Sequence, residues 1–398
     1  MNAELWSRPR IMGIVNINDD SFSGDGTLDV GEALERAGQM IADGADIIDI
    51  GAESARTNRE AITISEEIDR LLPFIEKWDK LREKSKTACE TQITPALLSV
   101  NSWRPEVIEA VLQTGKIDLV NDIGGLPGPA NAELCARHDA TLLIMHTVGQ
   151  PKVPHFDQKY RDVWQEMELF FDEKIALARK SGLRDEQIIL DPGIDFAKQC
   201  DDNLRIYREI ERLHRYKLPI LLPVSRKTVI GDVLDLPDPA DRDAGTIACI
   251  SRGIRAGVQV FRVHNVKAAA DTTRVLHAIH SAGLNSLIRE IQTHLNDTEM
   301  STKFFQFLDR SGEVDLPAFI AHVDDSVYSL RDWTEAFLGF DEWLTKQLIS
   351  GRCFSKMLGY LHCCEMMIAS GVEHPEFQTV VIQCLTDYGF DPEQASQA

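Results

Sequence analysis

Long apolar runs are missing from this 398-residue chain: none reaches the roughly 18 residues that a membrane span needs. The opening residues, M-N-A-E-L-W-S-R-P-R, lack the apolar centre and small-residue cleavage site of a signal peptide. The eight cysteines include no C-x-x-C pair, which removes the usual redox and zinc patterns and leaves them as reduced thiols. A cytoplasmic protein is the expectation. Positive charge is also scarce, with 42 Lys and Arg against 63 Asp and Glu for a net charge of −21. That balance argues against nonspecific binding to nucleic acid or to an anionic membrane, because both need clustered cations. A small anionic ligand stays open, since a few buried cations suffice for one molecule.

What is present is regular. From residue 11 to about 282, short β-branched apolar runs alternate with helix-period segments. The runs are I-M-G-I-V at 11, D-I-I-D-I-G at 46, L-L-S-V-N at 97 and I-D-L-V-N-D at 117. They continue with T-L-L-I-M-H at 141, Q-I-I-L-D at 187, P-I-L-L-P-V-S at 219 and V-Q-V-F-R-V-H at 258. Continuous apolar strands separated by helices imply a parallel sheet covered on its faces. Eight such units in about 270 residues predict a (β/α)8 TIM barrel. A doubly wound sheet is the second choice, but G-x-G-x-x-G is absent after the first run.

Most of the runs end in polar or charged residues: Asn16, Glu53, Asn101, Asn121 with Asp122, His146, Asp191, Ser225 with Arg226 and Lys227, and Arg262 with His264. Each alone reads as a loop-start or capping residue. Together they fall on the C-terminal ends of successive strands, the face on which barrel enzymes place their chemistry.

Beyond about residue 285 the pattern becomes helical throughout, as in W-T-E-A-F-L and M-L-G-Y-L-H-C-C-E-M-M-I. This stretch holds 7 Lys and Arg against 18 Asp and Glu, about half of the whole net charge. The change predicts two domains, a barrel over 1–284 and a smaller, acidic, all-helical domain over 285–398. In F-L-D-R-S-G-E-V-D-L-P-A-F (307–319), a calcium-loop register would put Phe307 and Ala318 where oxygen ligands are required, so calcium is not expected. Packing on the barrel, dimer contact and docking of a protein partner all remain possible roles for the tail.

Read in order, the strand-end motifs resemble the dihydropteroate synthase family of pterin-binding barrels. The matching pieces are M-G-I-V-N-I-N-D-D-S-F-S at 12, I-I-D-I-G-A-E-S-A-R at 47, V-N-D-I-G-G-L at 120 and I-M-H at 144. I-L-D-P-G-I-D-F-A-K at 189, S-R-K at 225, D-R-D-A-G-T-I-A at 241 and F-R-V-H at 261 follow. The resemblance implies a transferase of folate biosynthesis that joins a dihydropterin methyl diphosphate to p-aminobenzoate or a related amine and releases pyrophosphate. It implies magnesium held through Asn16, and a homodimer. By the same resemblance Asp191, Asn121 and Lys227 contact the pterin, whose aminopyrimidinone edge wants a buried carboxylate. Arg262 and His264 serve the diphosphate, for which the planar guanidinium fork is suited. Phe196 and Lys227 form the wall of the amine site, with Ser225 beside it. Loops one (Asn18 to Phe22) and two (Ser54 to Arg59) would close over the substrates, which brings in Asp20 among the catalytic residues and Phe22, Ser54 and Arg56 among the binding residues.

The chain departs from the family's pattern at defined places. Asn101 stands in S-V-N-S where the family has aspartate. Loop one has Asn18 and Asp19 in place of Thr and Pro, and loop two has Ala55 and Thr57 in place of Thr and Pro. Loss of proline predicts looser loops. Three outcomes stay open: a synthase with an altered site, transfer of the pterin methyl to another acceptor, or a catalytically silent pterin-binding or interaction protein.

Overall fold

The computed structural model describes residues 8–19, 26–54, 59–86, 95–153, 155, 157–276, 278 and 279. Every one of the eight apolar runs forms a strand. They are β1 (Arg10–Asn16), β2 (Ile47–Gly51), β3 (Leu97–Asn101), β4 (Leu119–Asp122), β5 (Thr141–Met145), β6 (Ile188–Asp191), β7 (Leu221–Pro223) and β8 (Val260–Val263). Between them run α1 (Val30–Ala42), α2 (Ile64–Lys86), α3 (Pro105–Leu112), α4 (Ala130–Arg137), α5 (Val163–Lys180) and α6 (Cys200–Arg208). Both α7 (Thr228–Leu234) and α8 (Asp243–Arg255) connect β7 to β8, and residues 266–276 form a further helix. Local chemistry sets several helix starts. The Asp29 carboxylate accepts the Glu32 N–H ahead of α1, Asp162 caps α5, and Pro105 opens α3, where its missing N–H costs nothing.

The strands pair in parallel in the order β6-β5-β4-β3-β2-β1-β8-β7. The two outer strands meet at a parallel bridge between Leu190 and Ile220, where the Leu190 N–H donates to the Pro219 carbonyl at 2.9 Å. The sheet is thus a nearly closed barrel rather than the open sheet of a doubly wound fold. Among the described residues no helix is long and apolar enough to cross a membrane. The expected helical domain over 285–398 lies outside the described residues.

Strand alternation divides the core into two layers. Residues such as Ile48, Ile50, Leu98, Val100, Leu142 and Phe261 pack outward against the helices, where Phe74, Trp78, Trp164 and Phe171 are fully buried. Met12, Ile47, Leu119, Leu143, Ile189, Leu221 and Val260 point inward and plug the barrel. Side chains alternate with a period of two, so the residue two places on rises one step along the same inner face. On five strands that step replaces an apolar side chain with a polar one: Ile47 gives Asp49, Leu97 gives Ser99, Leu119 gives Asn121, Ile189 gives Asp191, and Val260 gives Arg262. The apolar plug is the floor of a site, and the polar ring above it is the site.

Candidate active site

Above the plug opens a cavity of about 790 Å³. Its wall brings together Ser54, Asn101, Asn121, Asp191, Phe196, Ser225, Lys227, Arg262 and His264, residues more than 200 positions apart in the chain. Asn16 ends β1, is half-buried, and its carbonyl accepts the Thr27 N–H at 3.0 Å. Asp20, Phe22 and Arg56 lie outside the described residues, as do Ala55 and Thr57.

The centre of the polar ring is Asp49, a residue the strand-end reading passed over. Its carboxylate is fully buried and accepts from Ser99 Oγ at 2.5 Å, Asn121 Nδ2 at 3.0 Å and Arg262 Nε at 2.7 Å. Asp49 thereby fixes the Arg262 guanidinium through Nε, and no described residue bonds its two terminal nitrogens. A fork held at its base in this way presents paired donors for a phosphate. His264, one residue past β8, has its ring held by Ser225: Nδ1 and Ser225 Oγ are 2.7 Å apart, and the same oxygen accepts the His264 backbone N–H at 3.1 Å. Asp49 sat inside an apolar run and looked like part of a strand. Its inward parity, two places after Ile47, is the signal that marks it.

Asp191 does not cap a helix, since α6 begins only at Cys200. Its carboxylate accepts the Gly193 N–H at 2.7 Å. Burial pushes its pKa up to about 6, against the opposing pull of that bond and of Lys227, Lys198 and Arg262. Lys227 donates to the Ile194 carbonyl at 2.9 Å and lies 5.1 Å from the centre of the Phe196 ring. Burial lowers its pKa despite Asp195 and Asp191 nearby. On Asn101 the side-chain oxygen is buried without a partner.

Besides Asn16, three strand-end residues stand off the cavity wall. Asp122 has outward parity and ties its own loop, accepting from Gly124 N at 2.8 Å and Asn131 Nδ2 at 2.9 Å. The His146 ring packs edge-on against Phe170 with centroids 4.9 Å apart, outside the cavity wall. Arg226 turns away to Asp243, with Nε and Oδ1 2.8 Å apart. Glu53, buried and also in the cavity wall, anchors a second charged cluster, pairing with Arg104 at 2.6 Å and Lys152 at 3.0 Å, while Arg104 also pairs with Glu67. In loop one, Asp19 pairs with Arg59 at 3.6 Å and Arg70 at 4.0 Å, so an ionic contact stands in the place of the expected proline. Asn18 is buried with neither polar side-chain atom bonded.

A buried carboxylate, a guanidinium fork and a held imidazole around one cavity, at the C-terminal ends of the strands, define an enzyme-type barrel site with groups for a polar, anionic ligand. The family of pterin binding enzymes matches residues 12–264. The dihydropteroate synthase of Synechocystis is 39% identical over 274 residues, covering 68% of this chain and 90% of that protein. The Escherichia coli dihydropteroate synthase is 34% identical over 280 residues, covering 70% and 94%. A crystal structure of the Yersinia pestis dihydropteroate synthase with a sulfonamide drug aligns with a TM-score of 0.62 at 32% identity, over 70% of this chain and 96% of that one. The chain belongs to the dihydropteroate synthase family of transferases.

Proposed function

We propose that the cavity binds a dihydropterin methyl diphosphate together with p-aminobenzoate or a related aryl amine, and joins them with release of diphosphate. One observation carries this reading. The buried acceptor Asp191 and the Asp49-held fork of Arg262 face the same cavity from β6 and β8. A flat heterocycle with donors on one edge and a diphosphate on its methyl arm satisfies both. Asp191 accepts from the amino group and ring N–H, and Asn121, itself oriented by Asp49, flanks the ring. The C–O bond to the diphosphate breaks with its electron pair leaving on oxygen, where Arg262 and His264 receive the charge. The amine lone pair then attacks the pterin methyl cation between Phe196 and Lys227, and the nitrogen loses its proton.

Asn16, at the end of β1, carries a neutral amide oxygen, the kind of donor suited to magnesium, which takes few protein ligands and keeps waters and substrate phosphates. Asn16 would hold the ion, whose positive charge would help to stabilise a diphosphate leaving group. We further propose a cytoplasmic homodimer, with residues 285–398 as an acidic helical domain. That tail carries 22 Phe, Leu and Trp residues, apolar surface that the full-length chain gains by burying. A chain ended at residue 284 is therefore expected to aggregate or lose pterin binding. Size-exclusion chromatography and calorimetry test this, and a soluble, fully binding truncation would overturn it.

The Asp191 environment gives a pH test. The raised pKa means that the folded apo protein binds a proton more tightly than the unfolded chain. This group's contribution to stability is therefore fully present below the ordinary value of 3.8 and is lost as pH rises through about 6. Pterin binding runs the other way, because only the carboxylate accepts two donors. Affinity is expected to rise between pH 5 and about 7. Asp191→Ala should weaken binding by about 1.5–3 kcal/mol and flatten that profile. Calorimetry showing equal affinity in mutant and wild type would remove Asp191 from the pterin site.

A further inference from the structure

We infer that Lys198 is a positioning residue for the amine site: its ammonium holds the β6–α6 loop so that Phe196 stands in the cavity wall. This rests on the proposed reading of the cavity and adds a residue to it. Lys198 borders the cavity beside Phe196, but its ammonium is taken up by protein acceptors. Its Nζ is 2.8 Å from His146 Nδ1 and donates to the carbonyls of Gly193 and Phe196, each at 3.0 Å. An ammonium has three N–H bonds, and these three acceptors use all of them. The His146 carbonyl, at 3.4 Å, can only share one. All the bonds therefore go to the loop and to the end of β5, and none to a substrate.

The loop needs such a hold. Between Asp191 and Lys198 the backbone enters the left-handed region three times, at Gly193 (φ +67°), Asp195 (φ +68°) and Ala197 (φ +51°). Asp195 and Ala197 carry side chains and flank Phe196. Residues in that region persist only where their surroundings impose it. At Gly193 the approach is so close that a Cβ would sit 2.0 Å from the His146 carbonyl oxygen, which leaves only glycine. Three groups hold the loop from outside: Asn203 Oδ1 accepts the Asp195 N–H at 2.9 Å, Asp195 accepts the Thr228 N–H, and Lys227 donates to Ile194. Lys198 holds it from within, and its bond to the Phe196 carbonyl fixes the peptide from which that ring projects. The His146 ring, displaced from the cavity, has a role here too, as the third acceptor wedged against Phe170.

The test is a double-mutant cycle on the full chain with Lys198→Met and Phe196→Ala, reading KM for p-aminobenzoate and kcat separately, with dihydropterin diphosphate binding by calorimetry. Lys198→Met is expected to raise KM for the amine about tenfold or more while kcat changes far less. In the Phe196→Ala background the same change should add almost nothing, because the effect travels through Phe196. Additive effects, or an unchanged KM, overturn the inference. An equal fall in kcat with KM unchanged does so as well, since that would be a direct part in the chemistry. If Lys198→Met melts below the assay temperature, Lys198→Gln, which keeps two donors, is put through the same cycle. Wild-type protein that binds no dihydropterin diphosphate refutes the reading of the cavity itself. Wild type that binds and turns over, beside a Lys198 variant indistinguishable from it, refutes the role of Lys198 alone.

Discussion

Asp49→Ala is expected to lower turnover by about 10²–10³-fold, the scale seen when a group aimed at developing charge is displaced. The carboxylate touches no leaving group itself. It sets Arg262 through Nε at 2.7 Å and Asn121 through Nδ2 at 3.0 Å, and it binds Ser99 Oγ at 2.5 Å. Removing it frees the guanidinium to rotate, and leaves a cation and an amide partly buried without a partner. Breaking one side of such a pair costs about 3–5 kcal/mol of stability where burial is complete. Arg262 keeps part of its surface in the cavity, so the loss here should be smaller. Asp49→Asn is the sharper variant. It keeps an acceptor for Ser99 or Asn121 but loses the charge that holds Arg262, so its defect should fall on turnover more than on melting temperature. Pyrophosphate release measured beside thermal melting separates the two effects. A folded Asp49→Ala protein with wild-type kcat/KM would show that Arg262 does not depend on this carboxylate.

Asn101→Asp is expected to act in the opposite direction. The end of β3 faces the cavity, and the Asn101 side-chain oxygen has no protein partner. An aspartate there would put negative charge beside a methyl group that becomes cationic as diphosphate leaves. Turnover with p-aminobenzoate should rise by up to about 10²-fold, equivalent to roughly 2.7 kcal/mol off the barrier. A second carboxylate in the cavity that already holds Asp191 is expected to lower stability somewhat, because like charges in one site oppose each other's ionisation. If the changes at Asn18, Asp19, Ala55 and Thr57 have instead re-cut the amine pocket, the variant will release pyrophosphate faster without more dihydropteroate. Water or another nucleophile would then take the pterin. The two products, measured separately in wild type and variant, distinguish these cases. If neither product forms in either protein while the pterin diphosphate still binds, the transferase reading fails.

The barrel, and the face on which its strand-end polar residues gather, are legible in the sequence alone. Eight apolar runs with helical spacers specify eight parallel strands because a strand buried on both faces must be apolar throughout. Polar residues at the ends of those runs were then bound to meet on one face. Asn101, Asn121, Asp191, Ser225, Lys227, Arg262 and His264 do meet there, because parallel strands carry their C-terminal ends to the same rim. What linear order could not supply was direction and pairing. Asp122 and Asn121 are neighbours in sequence, yet the two-residue period sends one into its own loop and the other into the cavity. Asp49 looks like a flaw in an apolar run until closure of the barrel brings Arg262 from β8, 213 residues away, onto its oxygen. Lys198 looks like a surface residue after a turn until the loop folds back and turns its ammonium onto three acceptors. Sequence sets which groups a strand presents, since alternation is local. Which buried charge answers which is settled only when the sheet closes, because a charge out of water must find its partner in space and not along the chain.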